Sequence, residues 1–174
     1  MSGQAAKLPA ATVLCIADLD AERISALLSR YAAVWVQLPD HAEISGSYWG
    51  EPEAGLVGNK VYLRSDTPVH SLLHELCHYI CMSAERRRVL SRDAGGDSRE
   101  ECAVCYLQVL LAEHFLELGR TRCFEDMDAW GYSFREGSAA AWFHGDGQFA
   151  RQWLLDRGLI DANGRPTRTL CQDL

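Results

Sequence analysis

Two histidines and a glutamate in the middle of the chain have the spacing of a metal site. His74 and His78 flank the stretch His74-Glu75-Leu76-Cys77-His78. On an α-helix these two histidines lie one turn apart on the same face, so both imidazoles can reach one metal ion. Glu75 leaves the helix about 100° further round, where its carboxylate can take a proton from a metal-bound water. The pattern predicts a zinc site with Glu75 as the general base of a hydrolytic reaction.

The residues around this motif have the pattern of an amphipathic helix. Thr67 is a suitable N-cap and Pro68 suits the first helical position. The apolar residues that follow recur at intervals of three and four and form one stripe: Val69, Leu72, Leu73, Leu76 and Ile80. His74 and His78 lie nearly opposite this stripe. One face can therefore pack into a core while the other faces a cleft; the alternative is a helix with two solvated histidines.

A third ligand is expected from a second helix, which begins at an N-cap formed by Asp97 or Ser98. Its apolar stripe is Ala103, Val104, Leu107, Leu111 and Leu118. Glu100 lies in line with this stripe, and Glu101 lies about a quarter-turn away. Because a carboxylate on the buried side of a helix needs a partner, we predict Glu100 as a zinc ligand in preference to Glu101. The alternative for both is an acidic pair stabilised by the helix dipole.

These two motifs resemble those of zincin metallopeptidases, in the gluzincin branch, whose third ligand is a glutamate on a following helix. The second motif is similar to the E-x-x-A-x-x-F-A-x-x-L-L pattern that follows H-E-x-x-H in small peptidases that cleave phage-type repressors. The matching residues here are Glu100, Ala103, Tyr106, Leu107, Leu110 and Leu111. The resemblance covers residues 60–115. It departs at 112–114, where Ala-Glu-His replaces the usual Met-Pro, and no repressor-binding helix-turn-helix is visible in the N-terminal third.

The resemblance implies a zinc metallopeptidase that acts on a peptide or protein substrate, although the particular substrate does not transfer. It also implies that the strand before the metal helix, Lys60–Arg64, holds an extended substrate by backbone pairing. In zincin-like sites a Tyr, His or Arg from a later segment often steadies the oxyanion. Tyr132, Arg135 and His144 are the candidates here; the alternative for each is an aromatic cover of the core.

Two other functions remain open: a zinc amidase with a non-peptide substrate, and a non-catalytic, zinc-stabilised regulatory or binding protein. Glu75 favours an enzyme, because a structural site needs no general base. Cysteine pairs raise a third possibility, a structural zinc site at Cys77 and Cys81 or at Cys102 and Cys105. Since both pairs fall in helical patterns rather than tight turns, we expect free thiols that pack as small hydrophobic groups.

The composition indicates a globular protein with no nucleic-acid or membrane partner. The net charge is −7, from 17 basic and 24 acidic residues, which disfavours nucleic acid and leaves no basic patch for a membrane surface. No apolar run reaches the roughly 20 residues that a membrane span needs. The first residues imitate a signal peptide only weakly, with a single lysine in 1–7 and acidic residues from Asp18. We therefore expect a cytoplasmic protein with reduced cysteines.

The pattern as a whole predicts an α+β fold: one helix-dominated, zincin-like domain over 1–174, with a small sheet beside the metal helix and a loose tail at 1–10. A helix is expected over 20–33 and a strand over 34–38. Residues 44–58 are interpreted as an irregular loop whose Tyr48 and Trp49 line the cleft or cover the core edge. A later helix, 148–157, is expected to turn Phe149, Trp153 and Leu154 inward and to stop at Gly158.

Overall fold

The computed structural model describes residues 13–91 and 93–172, so the predicted tail at 1–10 lies outside the described residues. The described part is a helix-dominated α+β fold with a small mixed sheet, which confirms the α+β part of the prediction. In chain order its helices and strands are α1 (Ala21–Ser29), β1 (Val34–Gln37), β2 (Gly55–Val57), β3 (Lys60–Leu63), α2 (Val69–Cys81), α3 (Ala84–Val89), α4 (Ser98–Leu111), α5 (Gly119–Trp130), α6 (Ala139–His144) and α7 (Gln148–Asp156). None of these helices is long and apolar enough to cross a membrane.

The sheet has the strand order β1-β3-β2, with β1 parallel and β2 antiparallel to β3. Val61 at its centre pairs with Trp35 on one side and Leu56 on the other. Both edges of β3 are therefore occupied within the sheet. The expectation that this strand pairs with a substrate is therefore wrong, because both of its edges already pair with β1 and β2. Strand β2 was not predicted, since its surroundings are rich in glycine and proline.

Helix α2 begins at Val69, one residue later than the sequence suggests, with Pro68 as its N-cap. Thr67 does not cap the helix, because its hydroxyl accepts the backbone N–H of Arg64 at 2.9 Å. The predicted apolar stripe is fully buried: Val69, Leu72, Leu73, Leu76 and Ile80. Burying an aliphatic side chain of this size contributes about 1.5–3 kcal/mol, so this stripe fixes which face of α2 is turned toward the cleft.

Helix α4 packs against α2 and begins where the sequence predicts. The Asp97 carboxylate caps it by accepting the backbone N–H groups of Arg99 at 3.0 Å and Glu100 at 2.9 Å. The helix ends at Leu111, followed by a short 3₁₀ turn at Ala112–His114. Leu118 is buried but lies beyond this turn, so it is not part of the α4 stripe.

The C-terminal helices cover the far side of α4. Helix α7 confirms the predicted helix, and Gly158 follows it with a left-handed φ of +67°. It packs on α4 through Ala150 and Leu154, which lie one turn apart and are 2% and 0% exposed. Phe149 is 82% exposed, contrary to its predicted inward position, because the buried face of α7 contains Ala150 and Leu154 instead.

Candidate metal centre

The packing of α4 on α2 brings three potential metal ligands together. The Nε2 atoms of His74 and His78 are 3.1 Å apart. One carboxylate oxygen of Glu101 lies 3.3 Å from His74 Nε2, and the other lies 3.3 Å from His78 Nε2. Two imidazoles and one carboxylate therefore converge on a single point, as the ligands of a catalytic zinc do.

Glu101, rather than Glu100, is the glutamate beside the two histidines. The Glu100 carboxylate turns toward α3, where it accepts a hydrogen bond from Arg86 Nη1 at 2.7 Å. The sequence argument that a buried carboxylate needs a partner holds for Glu100, which is 9% exposed, but the partner is an arginine. The structure thus favours Glu101 as the third ligand, the reverse of the sequence-based order.

The orientation of His74 is set by a buried amide, Gln108. Gln108 Nε2 donates to the backbone carbonyl of His70 at 3.0 Å, and its Oε1 lies 3.0 Å from His74 Nδ1. Because a carbonyl can only accept, the amide nitrogen must face His70 and the amide oxygen must face His74. His74 Nδ1 therefore carries a proton, and Nε2 is the ring nitrogen that faces His78 and Glu101. Nε2 can bind a metal once it has lost its own proton.

The electrostatics of the three groups also fit a cation. Burial, together with the charge on His74, lowers the pKa of His78 to about 4, so this imidazole is neutral. Burial would raise the pKa of the Glu101 carboxyl, but the hydrogen bond and charge of His74 outweigh it and keep the pKa low. Lone pairs this close together repel one another unless a proton or a metal ion lies between them. Nitrogen and oxygen donors in this arrangement suit Zn²⁺.

Glu75 lies beside this cluster without belonging to it. Together with His74, His78 and Glu101 it lines a cleft of about 170 Å³. Burial raises the pKa of the Glu75 carboxyl to about 7, an effect that a cation held by the histidines would oppose. A carboxylate next to the ligands, but outside the ligand set, is placed to exchange protons with a water in the cleft.

Exposed aromatic residues form one wall of the same cleft. Tyr48 and Trp49 are 59% and 76% exposed, and their rings meet edge to face at 5.0 Å between centroids. Of the two positions that the sequence left open, the structure therefore shows them lining the cleft. Large aromatic side chains that remain in water beside a polar cluster provide a surface for a partly apolar ligand.

Cys105 is a donor that the sequence analysis did not place at the centre. Its Sγ, a ligand atom of His74 and a carboxylate oxygen of Glu101 all lie within 4.8 Å of one another. The thiol is free and buried, as predicted for this cysteine. The i, i+4 spacing from Glu101 could have revealed the position, because such residues share one helix face.

The three oxyanion candidates lie at different distances from the cluster. The Tyr132 ring is 5.9 Å from that of His74, and its hydroxyl lies 3.4 Å from Gln108 Nε2 and 3.5 Å from His70 Nδ1. Arg135 is exposed and paired with Asp146 at 2.8 Å. His144 is exposed, contacts Phe124 and Phe143, and does not line the cleft beside Glu75. Of the three candidates, only Tyr132 has a ring contact with one of the candidate metal ligands, His74.

A larger, mainly apolar pocket adjoins the cluster on the α4 side. Its volume is about 510 Å³, and Glu101 and Cys105 are among the residues that line it. Its walls include Tyr132, Phe134 and the exposed ring of Phe149. Glu101 lines both this pocket and the smaller cleft beside Glu75.

The arrangement as a whole can hold a divalent metal and move a proton beside it. His74, His78 and Glu101 could supply the ligands, Gln108 contacts His74, and Glu75 would remain for acid–base chemistry. These are the parts that hydrolysis at a metal centre requires. Comparisons of the chain with protein-family models, curated proteins and solved structures return no match.

Proposed function

We propose that the protein is a zinc-dependent hydrolase that cleaves peptide bonds, a metallopeptidase of zincin type. The observation that carries the proposal is the convergence of His74, His78 and Glu101 on one point, with Glu75 on the adjoining cleft. The order of these residues along the chain supports the zincin resemblance, with Glu101 in the role that the sequence assigned to Glu100. The free thiols of Cys77, Cys81, Cys102, Cys105 and Cys123 suit a reducing, cytoplasmic setting.

In this proposal each residue of the site has a separate task. His74, His78 and Glu101 would hold zinc, which when bound acts as a Lewis acid toward water and the substrate carbonyl. Glu75 accepts a proton from the attacking water and returns it to the leaving amine. The Tyr132 hydroxyl, held near Gln108 and His70, is the nearest of the three candidates for steadying the oxyanion.

A peptide is the favoured substrate because Glu101 borders two regions that can contact a chain. On the Glu75 side the exposed rings of Tyr48 and Trp49 border the cleft. The second region is the 510 Å³ pocket, which is mostly apolar and is lined in part by Cys105. A chain with a side chain on each side of the cleaved bond could use both regions, whereas a small non-peptide amide would use only one.

The test compares metal content with turnover. Purified protein should carry close to one zinc per chain, and His74→Ala or His78→Ala should lose it. Glu75→Gln should keep zinc, because an amide of the same shape fits the site, yet cleavage of an unstructured peptide library should fall by about 10²–10⁴. Glu117→Gln, an exposed carboxylate outside the cleft, is the matched control. Equal cleavage by wild-type and zinc-loaded Glu75→Gln protein would exclude Glu75 as the base.

A further inference from the structure

Resting on the proposed zinc site, we propose that Cys105 is a fourth ligand that competes with water for the metal, so that molecules with Cys105 bound are latent. The thiol sulfur lies within 4.8 Å of ligand atoms of both His74 and Glu101. His74 and Glu101 therefore belong to two overlapping donor sets, one completed by His78 and the other by Cys105. One ion between the two sets would have four protein donors.

The helix positions Cys105 for this role. It follows Glu101 by one turn of α4, so both side chains leave the helix on the same face. Both Cys102 and Cys105 line the 510 Å³ pocket, but Cys102, three residues earlier, is exposed, whereas Cys105 is only 8% exposed. A sulfur donor beside two imidazoles and a carboxylate suits zinc, because borderline-soft Zn²⁺ accepts nitrogen, oxygen and thiolate ligands.

Ligation by Cys105 has a direct consequence for activity. The S–H bond breaks, a sulfur–metal bond forms, and the proton is released to solvent. A catalytic zinc keeps one position for water or substrate, whereas a site with four protein ligands is closed. The thiolate would therefore compete with the water that Glu75 would activate, and only molecules in which water has replaced it would turn over substrate.

Cobalt substitution tests the proposal without an activity measurement. The metal-free protein is titrated with Co²⁺ and its absorption spectrum recorded. Wild-type protein should show visible d–d bands together with a near-ultraviolet thiolate-to-cobalt charge-transfer band. Cys105→Ser should lose the charge-transfer band and keep the visible bands, because His74, His78 and Glu101 remain. Cys102→Ser, the exposed cysteine on the same helix, should keep both.

The outcomes separate this proposal from the proposed function. Visible bands without a charge-transfer band in wild-type protein would overturn ligation by Cys105 and leave the zinc site intact. A charge-transfer band that persists in Cys105→Ser would also overturn it and point to another cysteine. Failure of wild-type protein to bind cobalt would overturn the zinc site itself. Circular dichroism checks that Cys105→Ser folds. If it does not, Cys105→Ala and alkylation of the native thiol are tested in its place, and each should lose the charge-transfer band.

Discussion

At the residue scale, one helix supplies both a ligand and the group that orients another ligand. Glu101 and Gln108 are seven residues apart on α4, about two turns, so they lie on the same face. The Glu101 carboxylate lies beside Nε2 of both histidines. Gln108 contacts the other ring nitrogen of His74, Nδ1. The tautomer of His74 is thus decided by a side chain that is fully buried between α2 and α4.

Replacing Gln108 should therefore weaken metal binding without removing a ligand. Gln108→Leu deletes the acceptor for His74 Nδ1–H, and loss of such a supporting hydrogen bond typically costs about 10–100-fold in metal affinity. Gln108→Glu keeps an oxygen at that position and should recover most of the affinity. Chelator competition measures both constants, with circular dichroism to verify folding. Wild-type affinity in a folded Gln108→Leu protein would show that the amide does not orient His74.

The two neighbouring glutamates should differ in the same assay. Glu101→Gln removes the charge that lies 3.3 Å from both histidine nitrogens, so zinc affinity should fall by at least about tenfold, a difference of about 1.4 kcal/mol. Glu100→Gln weakens the ion pair with Arg86 and should alter zinc affinity much less. A larger loss in Glu100→Gln would restore the order of preference derived from sequence.

At the element scale, the sequence was enough to predict the two helices that carry the site, α2 and α4. It was not enough to predict the ion pair between Arg86 and Glu100 or the pairing of β2 with β3. The spacing of His74 and His78, the apolar stripe of α2 and the Asp97 cap are all local signals. The choice between Glu100 and Glu101 depends on Arg86, which reaches Glu100 from α3, a short helix across a loop. The pairing of β2 with β3 depends likewise on a three-residue strand, and patterns of period two need a longer run than that.

The N-cap of α4 should influence the metal centre, because Glu101 lies in the first turn of that helix. Asp97→Ala removes both hydrogen bonds to the backbone and allows this turn to fray. We expect zinc affinity to fall by about tenfold, in the range found when a supporting contact is lost. Asp20→Ala, which removes the equivalent cap of α1, should leave zinc affinity unchanged. Equal effects of the two variants on zinc binding would contradict a local role for the α4 cap.

At the scale of the whole molecule, the proposed ion would join α2 and α4 at the cleft where the two helices meet. Helix α2 contacts the sheet and α4, and α4 contacts α5 and α7 in turn. The ligands on α2 and α4 are more than 20 positions apart in the chain, between His78 and Glu101. An unfolded chain does not hold these donors together, so metal binding and folding are coupled.

Zinc should accordingly raise the melting temperature of the metal-free protein. A ligand that binds only the native state at about 100 times its Kd adds about 2.7 kcal/mol to the free energy of unfolding. For a chain of this size each kcal/mol raises Tm by about 2–4 °C, so a shift of about 5–10 °C is expected. A chelator should reverse it, and the double variant His74→Ala, His78→Ala should show no shift. Glu75→Gln should shift as much as wild-type protein, because Glu75 lies outside the ligand set; a smaller shift there would make Glu75 a ligand rather than the base.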